Sequence, residues 1–329
     1  MIKAGLFGCG HLGKMHLKNL MEIQNIKPEV NIVGINDIDK YKLNSVSKEF
    51  NIKPFEKMDG LIQEINAAII VTTTSSHFEI ANKTIENNIH TFIEKPITES
   101  ILSANKLFDL SLKKKVKIQI GHIERYNPAM LALEDFELNP MFIESHRLSM
   151  FNPRGADVSV IQDIMIHDLD IILNIVNSKI KSIDANGVAL ITDKLDIANA
   201  RIKFENGCVA NVTASRISQK KMRKMRIFQK NAYISIDFLK NITDIFRLKD
   251  LTNEQIQNIS PDIFEYNNRK FKVFMEQKSL PGINPMRMEL VKFFDCILND
   301  TEPEIDIEDG IKAIETADEI IKNIKEVRS

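Results

Sequence analysis

The chain carries almost no net charge. Its 44 lysines and arginines nearly balance 45 aspartates and glutamates, leaving −1 at neutral pH. Such a balance creates no long-range attraction to nucleic acid or to an anionic membrane, so neither is expected as a partner. Cysteine is scarce as well: Cys9, Cys208 and Cys296 are scattered, with no C-x-x-C pair. That pattern describes free thiols in a reducing compartment, not a disulfide framework. No apolar run approaches the length that spans a bilayer. The opening residues Met1-Ile-Lys-Ala-Gly-Leu-Phe-Gly lack a separate basic region and a cleavage site, which argues against a signal peptide. A cytoplasmic protein is the expectation. Internal repeats and low-complexity segments are missing too. What remains is ordinary globular sequence, and 329 residues point to two domains, each large enough to bury a core.

Up to residue 120 short apolar runs alternate with helical spacing. Strands are predicted at Ile2–Phe7, Asn31–Ile35, Ala67–Thr73, Thr91–Ile93 and Val116–Ile120, with helices at Leu12–Ile23, Ser76–Glu86 and Glu99–Lys113. This is the pattern of an α/β domain with a doubly wound parallel sheet covered on both faces. From 121 to 329 the pattern changes. A helix at Pro128–Asp135, a strand at Phe142–Ser149 and an apolar helix at Ile161–Val176 come first. Strands then follow one another: Ile180–Leu190, Asp196–Phe204, Cys208–Ser215, Met225–Gln229, Ala232–Phe238 and Ile245–Leu248. Successive strands suggest an α+β domain with a mostly antiparallel, open sheet. Helices at Met286–Leu298 and Ile307–Ile324 close the chain, and the stretch 252–284 carries little signal.

Gly8-x-Gly10-x-x-Gly13 follows the first strand and opens a helix. In that setting the first glycine makes a tight turn, the second admits a pyrophosphate to the backbone, and the third lets helix and strand pack closely. His11 and Leu12 complete the loop as cofactor contacts. Asp37 ends the second strand, about 20 to 25 residues on, where ribose hydroxyls are read. A carboxylate there favours NAD, and no arginine follows in Asp37-Ile-Asp-Lys-Tyr-Lys, although Lys40 keeps NADP open. The alternative is that Asp37 caps the next helix. Thr72-Thr-Thr74-Ser-Ser-His77 ends the third strand, where Thr72, Thr74 and His77 could line a cofactor; the serines read better as a helix cap.

Glu94-Lys95-Pro96 ends the fourth strand, with proline stopping the sheet. Glu94 and Lys95 are then expected beside the nicotinamide. Burial beside a cationic ring favours the neutral amine, which suits Lys95 to bind, and to deprotonate, an alcohol. Taken alone, the same residue reads as a solvent lysine at a strand end. Asp163 and His167 are spaced i, i+4 on a helix that is apolar almost all round, so they share a face. Stranding them dry costs several kcal/mol, so they need partners or a role. His167 as proton relay with Asp163 orienting it is one reading, and a satisfied structural pair is another. A metal site from Asp163, His167, Asp168 and Asp170 is a third, but no further histidine motif stands at ligand spacing, and no metal is expected. Arg125 and Tyr126, in Gly121-His-Ile-Glu-Arg-Tyr-Asn-Pro128, can bind an oxygen-rich or phosphorylated substrate, or mark only a hinge. Lys220-Lys-Met-Arg-Lys-Met-Arg226 reads as a solvated edge or as a diphosphate contact, with Arg216 a further cation.

The glycine loop, Glu94-Lys95-Pro96, Gly121 to Pro128 and Asp163 to Asp168 together resemble the Gfo/Idh/MocA family of sugar oxidoreductases. The resemblance runs over most of the chain. It implies an N-terminal Rossmann domain and a C-terminal α+β domain whose open sheet serves oligomer contacts, hence a homodimer or homotetramer. It also implies that Lys95, Asp163 and His167 occupy the catalytic positions. Asp196 to Arg216, with Gly121 to Pro128, looks most like the branch containing UDP-N-acetylglucosamine 3-dehydrogenases of lipid A precursor synthesis. The third-strand end departs from the family pattern, with threonine and serine where proline is common. The implied activity is hydride transfer from a ring hydroxyl of a sugar or nucleotide sugar to NAD. Two alternatives share the fold: a non-catalytic NAD-binding regulator and an NAD-dependent glycosidase.

Overall fold

The computed structural model describes residues 1–152, 158–251, 263–266 and 269–324. It divides into two compact units, Met1–Tyr126 with Asn284–Thr316, and Asn127–Ile283 with Ala317–Ser329.

In the first unit β1 (Ile2–Phe7), β2 (Val30–Asn36), β3 (Ala67–Ile70), β4 (His90–Glu94) and β5 (Ile118–Gly121) alternate with α1 (His11–Ile26), α2 (Lys40–Phe50), α3 (Met58–Ile62), α4 (Thr74–Glu86) and α5 (Ile101–Lys114). The five strands are parallel in the order β2-β1-β3-β4-β5. All of β3 is buried, as a parallel sheet covered on both faces requires. Strand order reverses between β1 and β3, the position where such sheets open a crevice at their carboxyl ends.

In the second unit α6 (Pro128–Leu131) and β6 (Phe142–Leu148) precede a π-helical turn, Ile161–Met165, that runs into α7 (Ile166–Val176). Then come β7 (Ile180–Val188), β8 (Ile197–Phe204), β9 (Val209–Ser215), β10 (Met222–Gln229), β11 (Ala232–Asp237), β12 (Ile242–Leu251), β13 (Ile263–Tyr266) and β14 (Arg269–Lys278). They form a nine-stranded sheet in the order β13-β14-β12-β11-β10-β6-β9-β8-β7. Every neighbouring pair is antiparallel except β6 with β9. Alternate residues of β8 are buried, so one face of the sheet packs and the other does not. The packed face sets Ile143, Val212, Ile227, Ile234 and Ile245 against Leu169 and Ile172 of α7. The opposite face carries an aromatic row. Phe142, Phe228, Tyr233 and Phe246 lie directly across from one another on β6, β10, β11 and β12, with ring centroids 5.8, 4.9 and 5.4 Å apart.

α8 (Pro285–Leu298) and α9 (Ile307–Asn323) end the chain. The sequence assigned everything from 121 to 329 to the second domain, whereas Asn284–Thr316 groups with the first unit. The reason is apolar: Leu290, Phe293 and Phe294 are fully buried in a cluster with Leu17, Leu20 and Phe92. Other differences are local. The helix expected over 128–135 is a single turn, α6, and the helix expected over 161–176 begins with the π turn. Of the weakly patterned stretch 252–284, residues 263–266 and 269–278 are strands, and residues 252–262, 267 and 268 lie outside the described residues.

Candidate active site

The glycine loop sits at the crevice, and each glycine has its own reason. Gly8 has φ +104°, and a Cβ there would lie 2.5 Å from the Val71 carbonyl oxygen. A Cβ on Gly13 would stand 2.0 Å from the Gly8 carbonyl oxygen. Those two positions exclude side chains through the protein's own backbone. Gly10 differs, since a Cβ there would meet nothing within 4 Å. Its bareness leaves the backbone open to the cavity. Gly10 also caps α1 without any side-chain hydrogen bond, so the first helical N–H groups point outward, as anion binding needs. These features fit the pyrophosphate of NAD. Cys9 lies inside the loop, but burial pushes its thiol up to about 12, so it is no nucleophile.

A cavity of about 560 Å³ opens over the loop, lined by Gly8, Gly10, His11 and Leu12 and by residues from the ends of β2 and β3. Asp37 lines it, and its carboxylate accepts hydrogen bonds from the backbone N–H of Cys9 at 2.6 Å and of Asp39 at 2.8 Å. Those bonds hold the Asp37 carboxylate in place at the cavity wall, while Asp39 rather than Asp37 caps α2. Lys40, which kept NADP open, pairs with Glu56 at 2.8 Å. Lys42, Glu56, Met58, Glu79 and Ile80 also line the cavity. They went unnoticed in the sequence because no motif marks them.

At the end of β3 the lining residues are Thr72, Thr73 and Ser76. Thr74 is not among them; it is the first residue of α4. His77 is buried, with Nδ1 2.9 Å from the Pro96 carbonyl and Nε2 3.2 Å from the Thr72 carbonyl. Burial holds its proton affinity below the usual imidazole value. A neutral imidazole has a single N–H, so His77 donates to one of these two carbonyls, and it is not among the residues that line the cavity, where a cofactor contact was expected.

Glu94 closes β4 and turns inward. Its Oε1 lies 2.6 Å from His16 Nε2 of α1, and its Oε2 accepts the Lys95 backbone N–H at 3.2 Å. Glu94 is thus a buried strut that fixes the Lys95 backbone, while the Lys95 side chain starts from a half-buried residue. Beyond β5, Tyr126 is 2% exposed in the core of the first unit. Burial, then the nearby Glu304 and Glu289 charges, push its hydroxyl well above the ordinary phenol range. A buried, neutral phenol does not reach a substrate, and the expectation for Tyr126 is corrected. Arg125 pairs with Asp309 of α9 at 3.0 Å, so its cation has an internal partner.

In the second unit Asp163 lies on the π turn and His167 on the first turn of α7. Both are half-buried, while Met165, Ile166, Asp168 and Asp170 around them are buried. π turns re-aim side chains and recur at functional positions. Asp168 accepts from Arg147 Nε and Nη2 at 3.0 and 2.7 Å, a buried structural ion pair. Arg216 is buried as well. Its Nη2 donates to the Val158 carbonyl at 2.6 Å and its Nε stands 3.9 Å from Asp196. In the basic run Lys224 pairs with Asp237, and Arg226 with Glu144, each at 3.4 Å. Among the described residues no helix is long and apolar enough to cross a membrane.

Comparison with known proteins gives this geometry its place. Residues 2–122 match the model of the Gfo/Idh/MocA oxidoreductase family's NAD-binding Rossmann fold, and residues 141–235 match a C-terminal domain of the same family. A UDP-N-acetylglucosamine 3-dehydrogenase from Acidithiobacillus ferrooxidans is 36% identical over 246 residues, 74% of this chain and 77% of that protein. The solved structure of GnnA, the enzyme of that name from the same organism, superimposes with a TM-score of 0.86 over 98% of this chain and 97% of that one, at 30% identity. A scyllo-inositol 2-dehydrogenase (NAD(+)) of Bacillus subtilis is 27% identical, covering 66% of this chain and 68% of that protein. A levoglucosan dehydrogenase in complex with NADH and levoglucosan has a TM-score of 0.82 over 98% of this chain and 96% of that one; at 17% identity it shares the fold alone. With its NAD-binding Rossmann unit, its Glu94-Lys95-Pro96 strand end and its second, mostly antiparallel unit, the chain belongs to the Gfo/Idh/MocA family of oxidoreductases.

Proposed function

We propose that the chain oxidises a ring hydroxyl of a nucleotide-linked amino sugar to the ketone. The observation that carries this reading is the identity to a UDP-N-acetylglucosamine 3-dehydrogenase over 74% of the chain. When bound, NAD supplies the hydride acceptor. The chain's residues supply the rest. Gly8, Gly10 and Gly13 hold the loop open for the pyrophosphate, and Asp37 reads the ribose. Lys95 and His167 handle the proton of the reacting hydroxyl, and Asp163 orients His167. The diphosphate cannot rely on Arg216 or Arg125, whose charges are met internally. We assign it instead to Lys220 and Lys221, which are exposed just before β10.

The test is turnover of the purified protein with NAD and with NADP against UDP-sugars, free sugars and inositols, followed by NADH absorbance. NAD with a UDP-amino sugar is expected to give the highest kcat/KM, and NADP to be at least tenfold poorer, roughly 1.4 kcal/mol. Changing Lys220 and Lys221 together to alanine should raise KM for the UDP-sugar and leave a free sugar unaffected. Better turnover of free sugars or inositols would overturn the substrate class and leave the oxidoreductase intact. NAD binding without turnover of any sugar would instead favour a regulator. Release of a sugar with no NADH accumulation would favour a glycosidase.

The protein is further proposed to be a cytoplasmic homo-oligomer. Its three cysteines are buried free thiols. The aromatic face of the second sheet leaves Phe228, Leu248 and Met275 at 38, 56 and 58% exposure, an apolar surface that association would cover. Light scattering should give a dimer or tetramer mass, and Leu248→Glu with Met275→Glu should shift it towards the monomer. A monomeric wild-type chain at micromolar concentration would sink this reading.

A further inference from the structure

The first unit buries three ionisable side chains together behind Lys95. His16 of α1, Glu94 of β4 and Glu289 of α8 present ligating atoms that all lie within 4.8 Å of one another. His16 and Glu289 are fully buried and Glu94 is 7% exposed. None of the three can reach a substrate through solvent, yet burying such groups together is costly unless the arrangement does something.

We propose that His16, Glu94 and Glu289 act as one unit that presents a single fixed negative charge to Lys95, with His16 and Glu289 as positioning residues for the reaction. The proposal rests on the reading of Lys95 as a proton-handling group. The geometry leaves the three members unequal. Glu94 has a donor in His16 at 2.6 Å and a second in the Lys95 N–H at 3.2 Å. Among the described residues neither oxygen of Glu289 has a hydrogen-bond partner; Gln119 Nε2 donates to its backbone carbonyl instead, at 2.8 Å. A dry carboxylate with no donor, beside a second carboxylate, is stable only with its proton on. The acidities separate accordingly. Burial, then the Glu94 charge, raise Glu289 well above the carboxylate range, whereas at Glu94 burial is the largest single effect but is outweighed by the His16 hydrogen bond together with the charges of His16, Lys95 and His77, and the result is a lowered value. Pairs pushed apart in this way divide the roles of charged and neutral acid. The other charged or titratable groups facing the unit are Lys95 and His77, which both favour the ionised form of Glu94, and Tyr126 with Glu304 on the Glu289 side. A metal ion is a poorer account of the cluster. The 2.6 Å between His16 Nε2 and Glu94 Oε1 is the length of one charge-assisted hydrogen bond.

Two measurements test this without turnover. Infrared spectra of the wild-type apoprotein at neutral pH should contain the C=O stretch of a buried protonated carboxyl, lost in Glu289→Gln and kept in Glu94→Gln. In parallel, the pH midpoint of Lys95 acylation is read by peptide mass mapping. It should fall by about one unit or more in Glu94→Gln, the usual scale for losing a neighbouring opposite charge. His16→Leu should behave like Glu94→Gln, because an undonated Glu94 takes up a proton. His16→Gln keeps an amide donor and should restore the midpoint. Glu289→Gln should move it by less than about 0.3 unit, since an amide copies the neutral acid. The idea is overturned if the infrared band is missing, if Glu289→Gln shifts the midpoint as far as Glu94→Gln, or if His16→Leu lowers only the melting temperature. Because acylation is read on apoprotein, failure of Lys95→Ala to impair catalysis would count against the role of Lys95 and not against the buried unit.

Discussion

Alanine at Lys95 or at His167 is expected to lower kcat by about 10²-fold or more, the scale of a positioned proton-transfer group, while NADH affinity stays within about threefold. The two positions support this differently. Lys95 follows a strand end whose backbone is held by the Glu94 carboxylate at 3.2 Å, so removing the side chain leaves that backbone hydrogen bond in place. His167 stands on the first turn of α7, half-buried among buried neighbours, and its truncation removes an imidazole from a helix whose apolar side still packs. Neither residue lines the cavity over the glycine loop, which is why cofactor affinity should be spared. Steady-state kinetics and NADH fluorescence titration on both variants check this. Near-full kcat in either variant would remove that residue from the mechanism, and a parallel loss of NADH affinity would recast it as a cofactor contact.

The second large effect separates two glycines of one loop. Gly13→Ala should cost about 3 kcal/mol of stability or more, because its Cβ would stand 2.0 Å from a backbone oxygen that cannot step aside. Gly10→Ala should cost less than about 1 kcal/mol, since its φ of −69° suits alanine and nothing lies within 4 Å. That methyl would nonetheless stand where the pyrophosphate approaches, so NADH affinity should fall by more than tenfold, roughly 1.4 kcal/mol. Denaturant melts read the first quantity and fluorescence titration the second. Normal NADH binding by Gly10→Ala would mean that the pyrophosphate does not lie over Gly10.

What was legible in the sequence was local. The glycine loop, Asp37 and Glu94-Lys95-Pro96 each carry their meaning within a few residues of a strand end, so the chain order alone placed them. The antiparallel character of the second sheet was legible for the same reason, through consecutive apolar alternation. Residues whose role is set by distant partners were not. Tyr126 reads as a polar tip near a hinge, and only the fold brings it beside Glu289 and Glu304. Arg216 reads as a spare cation until the Val158 carbonyl and Asp196 stand next to it. Glu289 looks like one more charge on an amphipathic helix, although it is the most deeply buried acid of the first unit. Strand Arg269–Lys278 hid its periodicity under charges such as Lys272, Glu276 and Lys278.

The return of Asn284–Thr316 to the first unit has a bearing on how this protein is made and dissected. The Rossmann core is not finished when its five strands have left the ribosome. The surface formed by Leu17, Leu20 and Phe92 waits for Leu290, Phe293 and Phe294, which are synthesised only after the entire nine-stranded sheet. Until then the half that will hold the nucleotide carries a bare apolar patch, the kind of surface that chaperones shield and that drives aggregation. A fragment ending near residue 126 is therefore an unfinished object and no minimal cofactor module. Anyone wishing to excise that module has to splice residues 284–316 back onto it.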